Sequence, residues 1–242
     1  MKRTLRRIAI GVGVLLLLLG LGAGTIWYVA FSPNRAIVDG RSLAVGVETV
    51  KDGFVSAFLV DVGNGKVALV DAGNDAKATS ILAALGRRGL GPDAVSAIFL
   101  THGHGDHTAG CKAFPAAQVH ALEADVPLVG EAAKVTPLKD GEVTQVGDVR
   151  FETYAAPGHT PGSAVYFARG VLFFGDSAGA SKDGFVMPAV RLFSKDPSVN
   201  VASLKALEAR LAPRASEVQA LAFAHTGPLM GYAPLVQFAA AH

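Results

Sequence analysis

Ala97-Ile98-Phe99-Leu100 runs directly into Thr101-His102-Gly103-His104-Gly105-Asp106-His107, and the reading of this junction decides the fold. The first four residues are apolar enough for a buried strand, and the two glycines let the following chain turn back on itself. Three imidazoles and a carboxylate therefore emerge together from a strand end. One histidine in a solvated loop needs no function, but His-x-His-x-Asp-His is a ligand set suited to zinc, iron or manganese. In such a loop His102 and His104 can face one ion while Asp106 and His107 face another, which is difficult for a continuous helix or a flat strand.

Further along the chain the same device recurs. Pro157-Gly158-His159-Thr160-Pro161-Gly162, Phe173-Phe174-Gly175-Asp176 and Phe223-Ala224-His225-Thr226-Gly227-Pro228 each place a His or Asp in a glycine turn or after an apolar run. Upstream, Leu43 to Val50 and Phe54 to Val62 read as strands. Val62-Gly63-Asn64-Gly65-Lys66 carries a hairpin signal, and Lys66 to Val70 reads as a strand ending at Asp71-Ala72-Gly73. Asn74 is placed to cap a helix over Asp75 to Arg88, with Ile81, Leu82 and Leu85 on one face. Strands are expected over Val95 to Leu100, Gln118 to Leu122, Glu142 to Val146, Val149 to Ala155, Ala164 to Ala168, Val171 to Phe174 and Ala220 to Ala224. Helical turns broken by Pro127 are expected within 123–134, and helices over Val199 to Leu211 and Pro234 to Ala241. Strands in series with covering helices make a layered α/β (α+β) domain.

With these residues in place, the chain from about Leu43 to Gly227 resembles the metallo-β-lactamase fold superfamily of binuclear metallohydrolases. The resemblance implies a four-layer αββα sandwich with the metals at one edge between the sheets. It implies that His102, His104 and His159 hold one divalent ion and Asp106, His107 and His225 a second. Asp176 would bridge them, and Asp71 would orient the loop without binding metal. Zinc is the first expectation, with iron or manganese as alternatives. A hydroxide between the ions would attack an ester, lactone, thioester or related carbonyl of a small-molecule substrate, and Asp106 would pass the proton to the leaving group.

Departures narrow the family. β-Lactamases resembling this pattern usually carry Cys or Ser where Asp176 stands, and flavodiiron oxidoreductases carry Glu where His104 stands. Glyoxalase II enzymes share the ligand set but add a helical domain, whereas 17 residues follow His225 here, so a glutathione thioesterase is not the expectation. Two other readings stay open: a mononuclear iron persulfide dioxygenase, and a membrane-tethered binding protein without turnover. The 177–196 segment, with Phe185, Val186, Met187 and Phe193, reads either as an apolar lid or as packing for the helix at Val199. His120 reads as an ordinary strand residue.

The 242 residues, half of them hydrophobic, are enough for one domain with its own core. Lys2, Arg3, Arg6 and Arg7 supply four of the 22 positive charges, so the remainder, 18 against 20, is slightly acidic and no nucleic-acid surface is expected. Residues 1–7 form a basic flank. The 24 uncharged residues from Ile8 to Phe31 would reach about 36 Å as a helix, enough to span a bilayer. A retained transmembrane helix over 8–31 is favoured over a cleaved signal, leaving 32–42 as a linker and 43–242 as the catalytic domain outside the cytoplasm, periplasmic or extracellular. The lone cysteine, Cys111, cannot form an internal disulfide and reads as a small buried hydrophobe.

Overall fold

Alternation along the strands dictates how the layers stack. The computed structural model describes Gly20 and residues 34–242. In β3 (Val55–Gly63) Ala57 and Leu59 point to one face, while Phe58, Val60 and Val62 point to the other, and all five are buried. A strand buried on both faces needs a layer on each side. β1 (Ser42–Ala44), β2 (Val47–Asp52), β3, β4 (Lys66–Val70), β5 (Val95–Phe99), β6 (Gln118–Leu122) and β7 (Val135–Leu138) form one seven-stranded sheet in chain order. The second sheet has the order β15-β14-β11-β10-β9-β8, from β8 (Val143–Val146), β9 (Val149–Ala155), β10 (Ala164–Ala168), β11 (Val171–Phe173), β14 (Ala220–Ala222) and β15 (Leu229–Met230). A small hairpin of β12 (Ala178–Ala180) and β13 (Val186–Pro188) stands apart.

Three cores fill the three gaps between layers. Phe58, Val60, Phe99, Phe151, Tyr166 and Phe173 meet between the sheets. Ile81 and Leu85 of helix α1 (Thr79–Arg87) cover the outer face of the first sheet against Leu59, Leu69 and Ile98. Beyond two short helical turns, α2 (Gly105–Thr108) and α3 (Val126–Val129), helices α4 (Pro197–Leu211) and α5 (Ala233–Ala241) cover the second sheet. Leu204, Leu207, Leu211, Leu235 and Phe238 pack there on Val165, Leu172 and Leu221. The arrangement is an αββα sandwich. His120 is buried between the sheets with its ring stacked on Phe99 at 4.9 Å, away from the other histidines.

Several elements differ from the sequence reading. The first strand breaks at Val45-Gly46 into β1 and β2, because Gly46 has φ +77°. Helix α1 starts at Thr79, not Asp75. Asn74 does not cap it; the Asp75 carboxylate accepts from the Lys77 and Thr79 amides and from Thr79 Oγ1, folding 75–78 into a turn. β7 escapes the sequence reading because it contains Pro137, and it lies at the sheet edge, where a missing N–H is tolerated. The 177–196 segment supplies the β12–β13 hairpin, whose Val186 joins the core under α4 and α5, while Phe185, Leu192 and Phe193 stay exposed. The expected membrane segment, 8–31, lies outside the described residues apart from Gly20; among the described residues no helix is long and apolar enough to cross a membrane.

Candidate metal centre

Two parallel strand pairs set the site. β4 with β5, and β11 with β14, run parallel, so their carboxyl ends emerge side by side. Asp71 follows β4, the His102–His107 loop follows β5, Asp176 follows β11 and His225 follows β14; the β9–β10 loop adds His159. Gly175 is required for this closure: at φ +55°, a Cβ there would lie 2.2 Å from Thr101 Oγ1.

The ring atoms converge in two groups. His102 Nε2 and His159 Nε2 lie 3.0 and 3.1 Å from His104 Nδ1. Asp106 Oδ2 lies 3.8 Å from His107 Nε2 and 3.3 Å from His225 Nε2. Asp176 stands between the groups, with Oδ1 3.3 Å from His107 Nε2 and Oδ2 3.2 Å from His225 Nε2 and 3.6 Å from His159 Nε2. Three sets, His102-His104-His159, His102-His107-Asp176 and Asp106-His107-His225, each bring their ligand atoms within 4.8 Å of one another, close enough to hold a metal ion. All seven sequence-predicted ligand residues are thus brought together.

Around them sits a supporting layer. Asp71, itself at φ +60°, accepts from the Thr101 amide at 2.7 Å and Thr101 Oγ1 at 2.8 Å, and its Oδ2 lies 2.8 Å from His107 Nδ1. That contact turns His107 Nε2 towards the cluster. His225 Nδ1 lies 3.1 Å from the Phe54 carbonyl, and its ring stacks on Phe54 at 5.7 Å. Asp125 is fully buried and accepts from the Gly103 amide at 2.9 Å, Thr160 Oγ1 at 2.8 Å and the Gly162 amide at 2.6 Å. It ties the His102–His107 loop to the His159 loop. Sequence reasoning missed both Phe54 and Asp125: one belongs to a hairpin turn, and the other is a single acid between Ala124 and Val126 with no motif around it.

Charge is strongly segregated in this pocket. Burial pushes His102 well below the usual imidazole range and His159 down to about 4. Burial also opposes charging of His107 and His225. Asp71 and Asp176 nevertheless hold His107 well above its ordinary value, and Asp106 with Asp176 lifts His225 to about 10. Asp176 is held well below the carboxylate range, against the cost of burial, chiefly by His107. His107 Nε2 and Asp176 Oδ1 face each other, yet each is buried and, among the described residues, has no hydrogen-bond partner of acceptable geometry. Orphaned buried polar atoms are expensive, and a divalent cation that displaces the proton from His107 Nε2 would satisfy both. The donor set fits divalent metal.

An αββα sandwich with a His/Asp cluster at the carboxyl ends of its parallel strand pairs defines a fold of the metallo-β-lactamase type. The chain belongs to the metallo-beta-lactamase superfamily, whose sequence model matches residues 50–225. It is 33% identical over 138 residues to a hydroxyacylglutathione hydrolase of Xanthomonas axonopodis pv. citri (strain 306), covering 55% of this chain and 49% of that protein. A hydroxyacylglutathione hydrolase of Synechococcus sp. (strain ATCC 27144 / PCC 6301 / SAUG 1402/1) is 34% identical over 161 residues, 62% of this chain and 57% of the relative. The chain thus spans about half the length of the curated relatives it matches. A metallo-beta-lactamase family protein of Thermus thermophilus shares the fold with a TM-score of 0.64 at 24% identity, over 83% of this chain and 80% of that one. BJP-1, a subclass B3 metallo-beta-lactamase of Bradyrhizobium japonicum, does so with a TM-score of 0.62 at 21% identity, over 88% and 93%.

Proposed function

We propose that the cluster holds two divalent ions, zinc first, and hydrolyses an ester, lactone, thioester or related carbonyl of a small molecule. The observation that carries this reading is the position of Asp176 between two ligand trios, with its Oδ1 and the facing His107 Nε2 both buried and, among the described residues, without a hydrogen-bond partner. His102, His104 and His159 would hold one ion and Asp106, His107 and His225 the other, with Asp176 shared. Bound there, such ions supply a water acidified towards neutral pH and a Lewis acid for the substrate oxygen. Asp71 holds His107 in the tautomer that leaves Nε2 free, and the Phe54 carbonyl does the same for His225. Asp106, a quarter exposed at the cluster, is the group placed to carry a proton to the leaving atom. The names of the hydroxyacylglutathione hydrolases support hydrolysis as the reaction class.

Metal analysis of the whole chain, with turnover of a small ester and lactone panel before and after chelation, tests this reading. Two metals per chain and chelator-sensitive hydrolysis are expected. Asp176→Asn should lower metal content and cut turnover at least a hundredfold, since a neutral amide bridges poorly and one bridging group serves both ions. One iron per chain, with oxygen consumption and no hydrolysis, would overturn it.

We further propose that residues 8–31 span a membrane with the basic flank in the cytoplasm and the catalytic domain outside. The support is the 24-residue uncharged run behind Lys2 to Arg7. A reporter fused after His242 should be active outside the cytoplasm; activity confined to the cytoplasm refutes the topology.

A further inference from the structure

Eleven large apolar side chains are exposed among the described residues, and the three phenylalanines and two leucines are placed differently from the five valines and one methionine. Among the described residues, every exposed phenylalanine (Phe54, Phe185, Phe193) and every exposed leucine (Leu128, Leu192) lies on a segment that touches the ligand loops, with 49% of Leu128 to 68% of Leu192 open to solvent. Phe54 lies nearly parallel to the His225 ring, at an interplanar angle of 9°. Leu128 sits against the backbone between His102 and His104: a Cβ on Gly103 would come 2.4 Å from Leu128 Cβ. Leu192 and Phe193 precede Ser194, whose Oγ is 3.5 Å from His159 Nδ1, and the Lys195 amide donates to the His159 carbonyl at 3.1 Å. Phe185 lies at the tip of the β12–β13 hairpin, whose Ala180 amide donates to Thr226 Oγ1, beside His225.

The segments that carry these side chains border the cluster on its His225, His102–His104 and His159 sides. All the exposed phenylalanines and leucines border one site, and large apolar groups gathered round a site mark a binding surface in a way that singly exposed residues such as Val45 or Met230 do not. We propose that this rim receives an apolar acyl or aryl portion of the substrate, so that the preferred substrates are esters, thioesters or lactones of medium-chain or aromatic acids. The proposal rests on the hydrolase reading above for the reacting group, and on the rim alone for the chain attached to it.

The test is a series of p-nitrophenyl acetate, butyrate and octanoate with the metal-loaded whole chain, alongside calorimetric binding of acetate and octanoate. kcat/KM should rise at least tenfold from acetate to octanoate, and octanoate should bind at least tenfold more tightly than acetate. Phe54→Ser and Leu192→Ser, both at exposed positions, should each remove most of that preference; Val143→Ser, on the distant strand β8, should leave it intact. A flat or falling series with metal-dependent acetate turnover overturns the acyl-rim proposal and leaves the hydrolase reading standing. No ester turnover, combined with octanoate binding that Phe54→Ser abolishes, supports the rim and defeats the hydrolase reading. Equal binding of the two acids without turnover defeats both.

Discussion

Asp125 shows how much of a site can rest on a residue that binds no substrate and no metal. Its carboxylate is buried, and its three donors belong to two ligand loops. Asp125→Asn keeps the shape but turns an amide N–H₂ towards groups that are themselves donors. Metal affinity at the His102-His104-His159 trio should fall about ten- to a hundredfold, as measured by chelator competition, with the far-ultraviolet circular dichroism unchanged. Cys111 is the opposite case, a reactive type made inert by its surroundings. It is 4% exposed, and burial, with Asp71 nearby, pushes its thiol up to about 12. Iodoacetamide at pH 8 should leave it unmodified in the native protein and alkylate it fully in denaturant. At this scale the sequence was legible where chemistry is dense: the seven residues that the structure brings together could be named because His and Asp recur after apolar runs and in glycine turns. Asp125 and Phe54 were illegible because their contacts depend on which distant loops come to meet them.

Among the elements, long alternating strands and the periodic helix α4 were readable because their burial pattern follows from residue spacing alone. The misreadings fall where a local device decides instead. Asp75 ties a turn that delays α1, Gly46 splits a strand, and Pro137 is admitted only because β7 lies at an edge. α4 also begins two residues earlier than its apolar spacing suggests, since Asp196 accepts from the Ser198 and Val199 amides and Pro197 fits the first turn. Asp196→Ala should therefore cost about 1 kcal/mol in urea unfolding. Because the Asp196 amide donates to the Gly158 carbonyl next to His159, the same variant should also loosen metal at the His159 trio slightly.

For the molecule as a whole, the layered class followed from strands punctuated by helices, but the partition into two sheets did not. Nothing local tells β7 and β8 to join different sheets. The seven candidate ligand residues come from both sheets, so a cation bound by them would stabilise only the closed sandwich. With metal about a hundredfold above its Kd, chelation should lower Tm by roughly 5–10 °C in scanning calorimetry. The sheets also divide the chain cleanly: β1 to β7 end at Leu138 and β8 begins at Val143, with exposed residues 139–142 between them. One chain half carries His102, His104, Asp106 and His107; the other carries His159, Asp176 and His225. A nick within 139–142 would therefore produce two fragments, neither with a complete ligand set, that recover tight metal binding only by reassembling. A metal centre built from these seven residues would in that sense be a molecular proofreader, its ion held tightly only after both halves of the chain have found each other in the right register.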